Sequence, residues 1–172
     1  WSQGIFNTFL GTYLYEKKGI DLAVVGHLLI LIGVLSIGSG IVWGRISDWI
    51  GRSLAFLCVF LVQSVGLILI WLNPMPGAFL LAAILIGLTH RATFTICAAS
   101  AGDFVPVHLS STAFALMSTG AGAGVMISPS IAGGLADTTG SLQGAFAVAS
   151  GGSACGTLGS VALHMLMRRR AA

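Results

Sequence analysis

Long apolar runs alternate with short polar or turn-rich connections along the whole chain. After an opening apolar stretch at 1–15, the runs fall at 22–44, 54–72, 77–101, 111–136 and 142–167. Each of these five is about 19 to 26 residues long, the length a helix needs to cross a bilayer with modest tilt. The connections, at 16–21, 45–53, 73–76, 102–110 and 137–141, are all short. Within hydrocarbon every backbone N–H and C=O must be satisfied by the protein, so a spanning segment is a helix or a strand of a closed barrel. These runs are too long for barrel strands and lack their alternation. The pattern predicts an all-α membrane protein: a six-transmembrane-helix bundle over residues 1–167, with a basic tail at 168–172.

The opening stretch meets Glu16 after at most about fifteen residues, or about 22 Å of helix against a hydrocarbon core about 30 Å thick. It is therefore expected to be a truncated spanning helix whose beginning precedes Trp1. A secretory signal peptide fits less well, because no basic leader precedes the run and no small-residue cleavage site follows it.

Composition agrees with lipid as the main solvent. Of 172 residues, 56% are hydrophobic and 8% charged, with mean hydropathy +0.97. A soluble domain typically carries about 25% charged residues. The net charge of +3 comes from few, local basic residues, which gives no support for nucleic-acid binding. Cys58, Cys97 and Cys155 sit in apolar runs with neither the number nor the spacing of a disulfide framework or zinc site, and read as small apolar filler. No metal or other cofactor is expected. No glycine-lysine-serine phosphate loop is present, so ATP-driven transport has no support. Ser153 among small residues, with His164 following, superficially resembles a nucleophile and its base. On one helix they lie about 16 Å apart, too far for a hydrogen bond, so no enzyme is expected.

Basic residues in the connections orient the bundle. Arg45, Arg52, Arg168, Arg169 and Arg170 fall on one side of six crossings, and Lys17 and Lys18 on the other beside Glu16 and Asp21. The first side, with the C-terminus, is expected to be cytoplasmic. The 24 glycines include the pairs Gly40/Gly44, Gly120/Gly124 and Gly152/Gly156. Spacing of four puts both on one helix face, where a neighbouring backbone can approach closely. In the fifth helix, Gly120, Gly124 and Gly133 are expected to serve packing, and Pro129 permits a kink.

The most specific stretch is Gly44-Arg45-Ile46-Ser47-Asp48-Trp49-Ile50-Gly51-Arg52-Ser53. It resembles the cytoplasmic signature of the major facilitator superfamily: glycine, three residues, aspartate, a basic residue, any residue, glycine, then basic residues. Gly44, Asp48, Gly51 and Arg52 match, whereas Trp49 and Ser53 stand where a basic residue is usual. That weakened form resembles the second half of such transporters. The run from Ser128 to Asp137, followed by Thr139-Gly140-Ser141, is similar to their penultimate helix and exit loop. Gly4, Phe6, Phe9 and Tyr13 before Glu16 look similar to their seventh helix. The resemblance spans the chain and points to the C-terminal six-helix half of a 12-helix fold, in the branch of YbfB-like bacterial permeases. It implies a small-solute substrate and a missing N-terminal six-helix half as partner.

The residues of the signature can also be read physically. Asp48 is expected to pair with Arg52, or to dock on the free N–H groups near Ser110 and Ser111 at the start of the fifth helix. Asp103 is a second expected partner for Arg52 or Arg45. The resemblance assigns this gating loop the role of a cytoplasmic latch that stabilises the outward-facing state.

Arg91 lies near mid-bilayer in the fourth helix, where an isolated charge costs about 2.5–3.5 kcal/mol on insertion scales, so it should face the bundle interior or water. Arg91 is a candidate to attract an anionic substrate group, with His90, Thr95 and Gln63 nearby, and His90 is a candidate proton carrier. Gln3 and Asn7 are further cavity candidates. The resemblance implies secondary, alternating-access transport, and these residues point to proton coupling and an organic anion as substrate. The alternatives are efflux of amphipathic drugs, and a non-transporting membrane fragment or assembly partner.

Overall fold

The computed structural model describes residues 1–72 and 76–171, and every regular element in it is helical. The chain forms α1 (Ser2–Thr12), a π-helical turn (Tyr13–Lys17), α2 (Leu22–Ile50), α3 (Arg52–Leu72), α4 (Pro76–Gly87), α5 (Ala92–Phe104), α6 (Val107–Thr139) and α7 (Gln143–Ala171). Five segments are long and apolar enough to cross a membrane: α2, α3, the Gly77–Asp103 segment, α6 and the Gln143–Ala162 part of α7. The all-helical membrane bundle expected from the hydropathy pattern is present. Residues 73–75 of the expected connection at 73–76 and the side chains of Arg168, Arg169 and Arg170 lie outside the described residues.

Helices run beyond the apolar stretches that announced them. The expected connection at 45–53 contracts to Gly51 alone, because α2 continues through Arg45, Ser47 and Asp48 and α3 starts at Arg52. Gly51 has φ +88°, a conformation side chains resist and glycine accepts. The expected connection at 102–110 contracts likewise, since α6 starts at Val107. Ser110 and Ser111 therefore stand inside α6 rather than ahead of it. Polar residues at a helix end satisfy the same backbone ladder as apolar ones, so hydropathy undercounts the helix there. At the other end of α2, the Asp21 carboxylate accepts the Ala23 N–H at 2.8 Å as an N-cap.

The larger correction concerns the fourth span. Expected as one helix over 77–101, it is two helices, α4 and α5, separated by a turn at residues 88–91. The two halves pack in different places. Ala82, Ala83 and Ile86 of α4 join a core with Ile5, Phe6 and Leu10 of α1, Leu67 and Ile70 of α3, and Phe146 of α7. Ala92 and Ile96 of α5 join a second core with Ala55 and Val59 of α3, against Trp43 of α2.

α1 is short but deeply placed, with Ile5, Phe6 and Leu10 buried. Tyr13 continues its buried stripe against Phe146, ring centroids 5.0 Å apart. Close glycine contacts hold the helices together. A Cβ on Gly4 would strike Ser128 and the Val125 backbone of α6, and one on Gly156 would meet Phe60 at 3.0 Å. Of the expected fifth-helix glycines, Gly124 packs against Trp1 and Gly133 against Phe9, while Gly120 faces open space. The helix α6 runs through Pro129 without interruption. The faces of α2 and α6 carry Val34, Ile37, Ile41, Leu116 and Met126, all more than half exposed.

Candidate transport site

The break between α4 and α5 is built from polar side chains of other helices. A turn inside a membrane span frees backbone groups that lipid cannot satisfy. Here the Trp43 indole N–H of α2 donates to the Leu88 carbonyl at 2.8 Å. The Gln3 amide of α1 donates to the His90 carbonyl at 2.7 Å. The Arg91 N–H donates to the Ser39 hydroxyl at 3.3 Å. Thr89, wholly buried, turns its own hydroxyl back to the Leu85 and Ile86 carbonyls.

This turn presents Arg91 at the N-cap of α5. Its side chain is exposed and pairs with no carboxylate among the described residues. The His90 ring lies tilted by 52° against Phe6, centroids 6.4 Å apart, and its Nδ1 is buried without a partner among the described residues. Thr95 sits one turn along from Arg91, where a Cβ on Gly40 or Gly44 would meet its side chain at 2.9 Å or 3.3 Å. The Gly40/Gly44 pair is thus a groove of α2 into which α5 settles.

A separate cavity of about 260 Å³ opens between α1, α3, α5, α6 and α7. Gln3 and Gln63 line it, as do Trp1, Phe60, Thr93, Phe94, Cys97, Met117 and Ser118. The structure therefore divides the expected cavity residues. Gln3 joins the break to the cavity, while Gln63 lines the cavity with Thr93. Arg91, His90, Thr95 and Asn7 are not in its wall, and Asn7 is exposed on α1. Thr93, Cys97 and Ser118 were missed by sequence reasoning. The signal was available for two of them: Thr93 and Cys97 are four apart and share a helix face, distinct from that of Arg91 and Thr95.

At one end of the bundle Arg52 joins three elements. Its Nη1 lies 2.6 Å from Asp48 of α2 and donates to the Ser47 hydroxyl at 2.5 Å, while its Nε lies 2.7 Å from Asp103 of α5. Both expected carboxylate partners are engaged together, and Asp48 is bound to Arg52 rather than to the start of α6. Nearby, Ser53 of α3 and His164 of α7 share a hydrogen bond at 2.9 Å. Ser153 is bonded to its own helix at the Ala149 carbonyl, so Ser153 and His164 are each held by other groups.

Membrane-length helices, an interrupted span with buried polar groups and an arginine unpaired among the described residues, and an ion-pair cluster joining helix ends describe a polytopic helical membrane protein. The chain belongs to the Major Facilitator Superfamily, whose family model matches residues 1–172. Comparison with curated proteins and with solved structures gave no match. Membership in this family makes transport of a solute across a membrane the activity to which this chain contributes.

Proposed function

We propose that this chain forms the C-terminal wall of a proton-coupled secondary transporter, in which Arg91 attracts an anionic group of a small organic substrate. The observation that carries this reading is Arg91 itself: exposed and without a carboxylate partner among the described residues, it stands within the Gly77–Asp103 span. Facing lipid, it would cost about 2.5–3.5 kcal/mol on insertion scales, so a wet pathway or a second helical half is its natural surroundings. The exposed apolar faces of α2 and α6 support a companion six-helix half that closes the pathway, as in transporters built from two repeats. His90, at the same turn with an unpartnered buried nitrogen, is the residue to carry the coupled proton. The basic-residue bias supports a cytoplasmic location for the end that holds Arg45 and Arg52, the resemblance to bacterial permeases supports a bacterial inner membrane, and the Arg52 cluster is the latch that closes that end.

The test is uptake of organic anions by the full-length protein in proteoliposomes, with and without an imposed proton gradient. A charge-assisted hydrogen bond contributes about 1.5–3 kcal/mol, so Arg91→Ala should lower uptake by roughly ten- to a hundredfold. Arg91→Lys should retain part of it. Unchanged kinetics in both variants refute the anion assignment, and gradient-independent uptake refutes the proton coupling.

A further inference from the structure

We infer that Ser53 and His164 form a proton-sensitive tie between α3 and α7, tighter in acid than in base, that steadies Arg52 in its ion cluster. The bond is made by two side chains of this chain, 2.9 Å apart, and calls on no group outside them. It involves neither Arg91 nor His90.

The seam between α3 and α7 places this pair. Ser150, Ser153, Thr157, Ser160 and His164 recur at helical spacing on one face of α7. The four hydroxyls turn back to carbonyls of their own helix. Among the described residues, side-chain hydrogen bonds cross to α3 only at the two ends of the seam. At one end the Gln143 amide donates to the Trp71 carbonyl at 2.7 Å; at the other stands the Ser53–His164 bond. An amide keeps its charge at every pH, whereas an imidazole changes charge near neutrality. His164 lies beyond the Gln143–Ala162 part of α7 that can span a membrane and is partly exposed, so protons from solution reach it. Ser53 is only 6% exposed and has little water to turn to when the bond opens. It stands where the signature usually carries a basic residue, and His164 brings to that position a cation present only in acid.

The direction follows from the donors. A neutral ring accepts from or donates to the Ser53 hydroxyl according to its tautomer, while the imidazolium donates its Nδ1–H to the Ser53 oxygen. A hydrogen bond from an ionised donor is about twice as strong as a neutral one. Protonation therefore tightens the tie, and by linkage the added strength is present in acid and lost as the ring deprotonates. Charges at this end of the bundle act in both directions. Arg52 and the free N–H groups at the start of α3 oppose a further cation. Asp48 and Asp103 favour it, and these two carboxylates share the one Arg52 guanidinium. Arg45 of α2, His108 of α6 and Arg168–Arg170 of α7 are the other basic groups at this end, and Ser2–Thr12 of α1 carry none. Ser53 directly follows Arg52 at the start of α3, so fixing this turn fixes the base of the side chain that binds both carboxylates.

Hydrogen–deuterium exchange of the full-length protein in lipid nanodiscs reads the tie, once rates are corrected for the intrinsic pH dependence of exchange. The amides of residues 55–58 form the first bonded turn of α3, where the Ala55 N–H donates to the Gly51 carbonyl. They should be protected about fivefold more at about pH 5.5 than at about pH 8, the difference between a charge-assisted and a neutral hydrogen bond. His164→Gln keeps a bonding group but cannot titrate, and should lose this dependence; so should Ser53→Ala. His164→Lys, charged throughout, should show the acid level of protection at both pH values. Residues 68–72, at the Gln143 end of the seam, should respond to pH in none of these proteins. Equal protection of the unmodified protein at both pH values, or an undiminished pH response in His164→Gln, would each overturn the proposal. Arg91→Ala and His90→Gln should leave the response intact, which separates the tie from the anion and proton-coupling readings.

Discussion

The approach of α1 to α6 at Gly4 offers a quantitative trial of the fold. A methyl group placed on Gly4 would come within 2.8 Å of the Val125 carbonyl oxygen and 3.1 Å of the Val125 Cα, besides striking the Ser128 hydroxyl. The hydroxyl can rotate; the backbone of α6 cannot move without shifting the helix. Overpacking of this kind costs about 1–3 kcal/mol. At Gly120 of α6, by contrast, an added methyl meets nothing within 4 Å, and replacing a helical glycine by alanine gains up to about 1 kcal/mol. Gly4 is helical too, so that gain applies to both variants, and Gly4→Ala should be less stable than Gly120→Ala by about 1–3 kcal/mol, the overpacking cost. The assay is equilibrium unfolding of the purified full-length protein in mixed micelles as the denaturing detergent fraction rises. Gly4→Ala/Ser128→Ala should recover only part of the loss, because the Val125 carbonyl remains. Equal stability of the two single variants, or complete recovery in the double variant, would refute the packing described for α1 and α6.

Other predictions concern the turn and the ion cluster. Gln3→Leu and Trp43→Phe each remove a donor from a turn carbonyl, at a cost of about 1–3 kcal/mol for a group left unsatisfied; faster amide exchange at residues 88–92 is the expected signature, and unchanged exchange would remove these side chains from the account. Asp103→Asn should destabilise by at most about 1 kcal/mol, because its carboxylate is half exposed and exposed ion pairs contribute little. Its main effect should instead be on transport rate at normal membrane insertion, as should that of Asp48→Asn; normal transport by both would remove the latch.

The number and class of helices were legible because twenty apolar residues in a row have few ways to satisfy a backbone other than as a spanning helix. The ends were less legible. Arg45, Ser47 and Asp48 interrupt the apolar run of α2 but continue its helix to Ile50, so polarity marked the edge of hydrocarbon rather than the end of the helix. Partner choice in the ion cluster was partly legible: Asp48 and Arg52 are four apart, whereas the contact with Asp103 crosses from α3 to α5 and followed only from placing both on one face of the membrane.

The break at residues 88–91 was hidden for a physical reason. Leu88, Thr89, His90 and Arg91 contain no proline or glycine, and Gly87, the last residue of α4, is a residue type too frequent inside spanning helices to announce a break by itself. What ends α4 there comes from elsewhere in the chain: Trp43, Ser39 and Gln3 bring donors and an acceptor to the freed backbone, and the two halves of the span have separate cores to fill. The break also changes what the span presents. With one continuous helix, Arg91, Thr95 and Gln63 could be imagined around one pathway. With two, Arg91 and Thr95 lie toward α2, while Thr93 and Cys97 turn into the cavity shared with α6 and α7. α5 is then a rod of about 20 Å, tied to α2 through Ser39 at one end and to Arg52 through Asp103 at the other. Both ties and the Gly40/Gly44 groove act on the same short helix, so the ion cluster and the turn that holds Arg91 are the two ends of one rigid element, and Gln3 and Phe6 join that turn to the α1–α4 core.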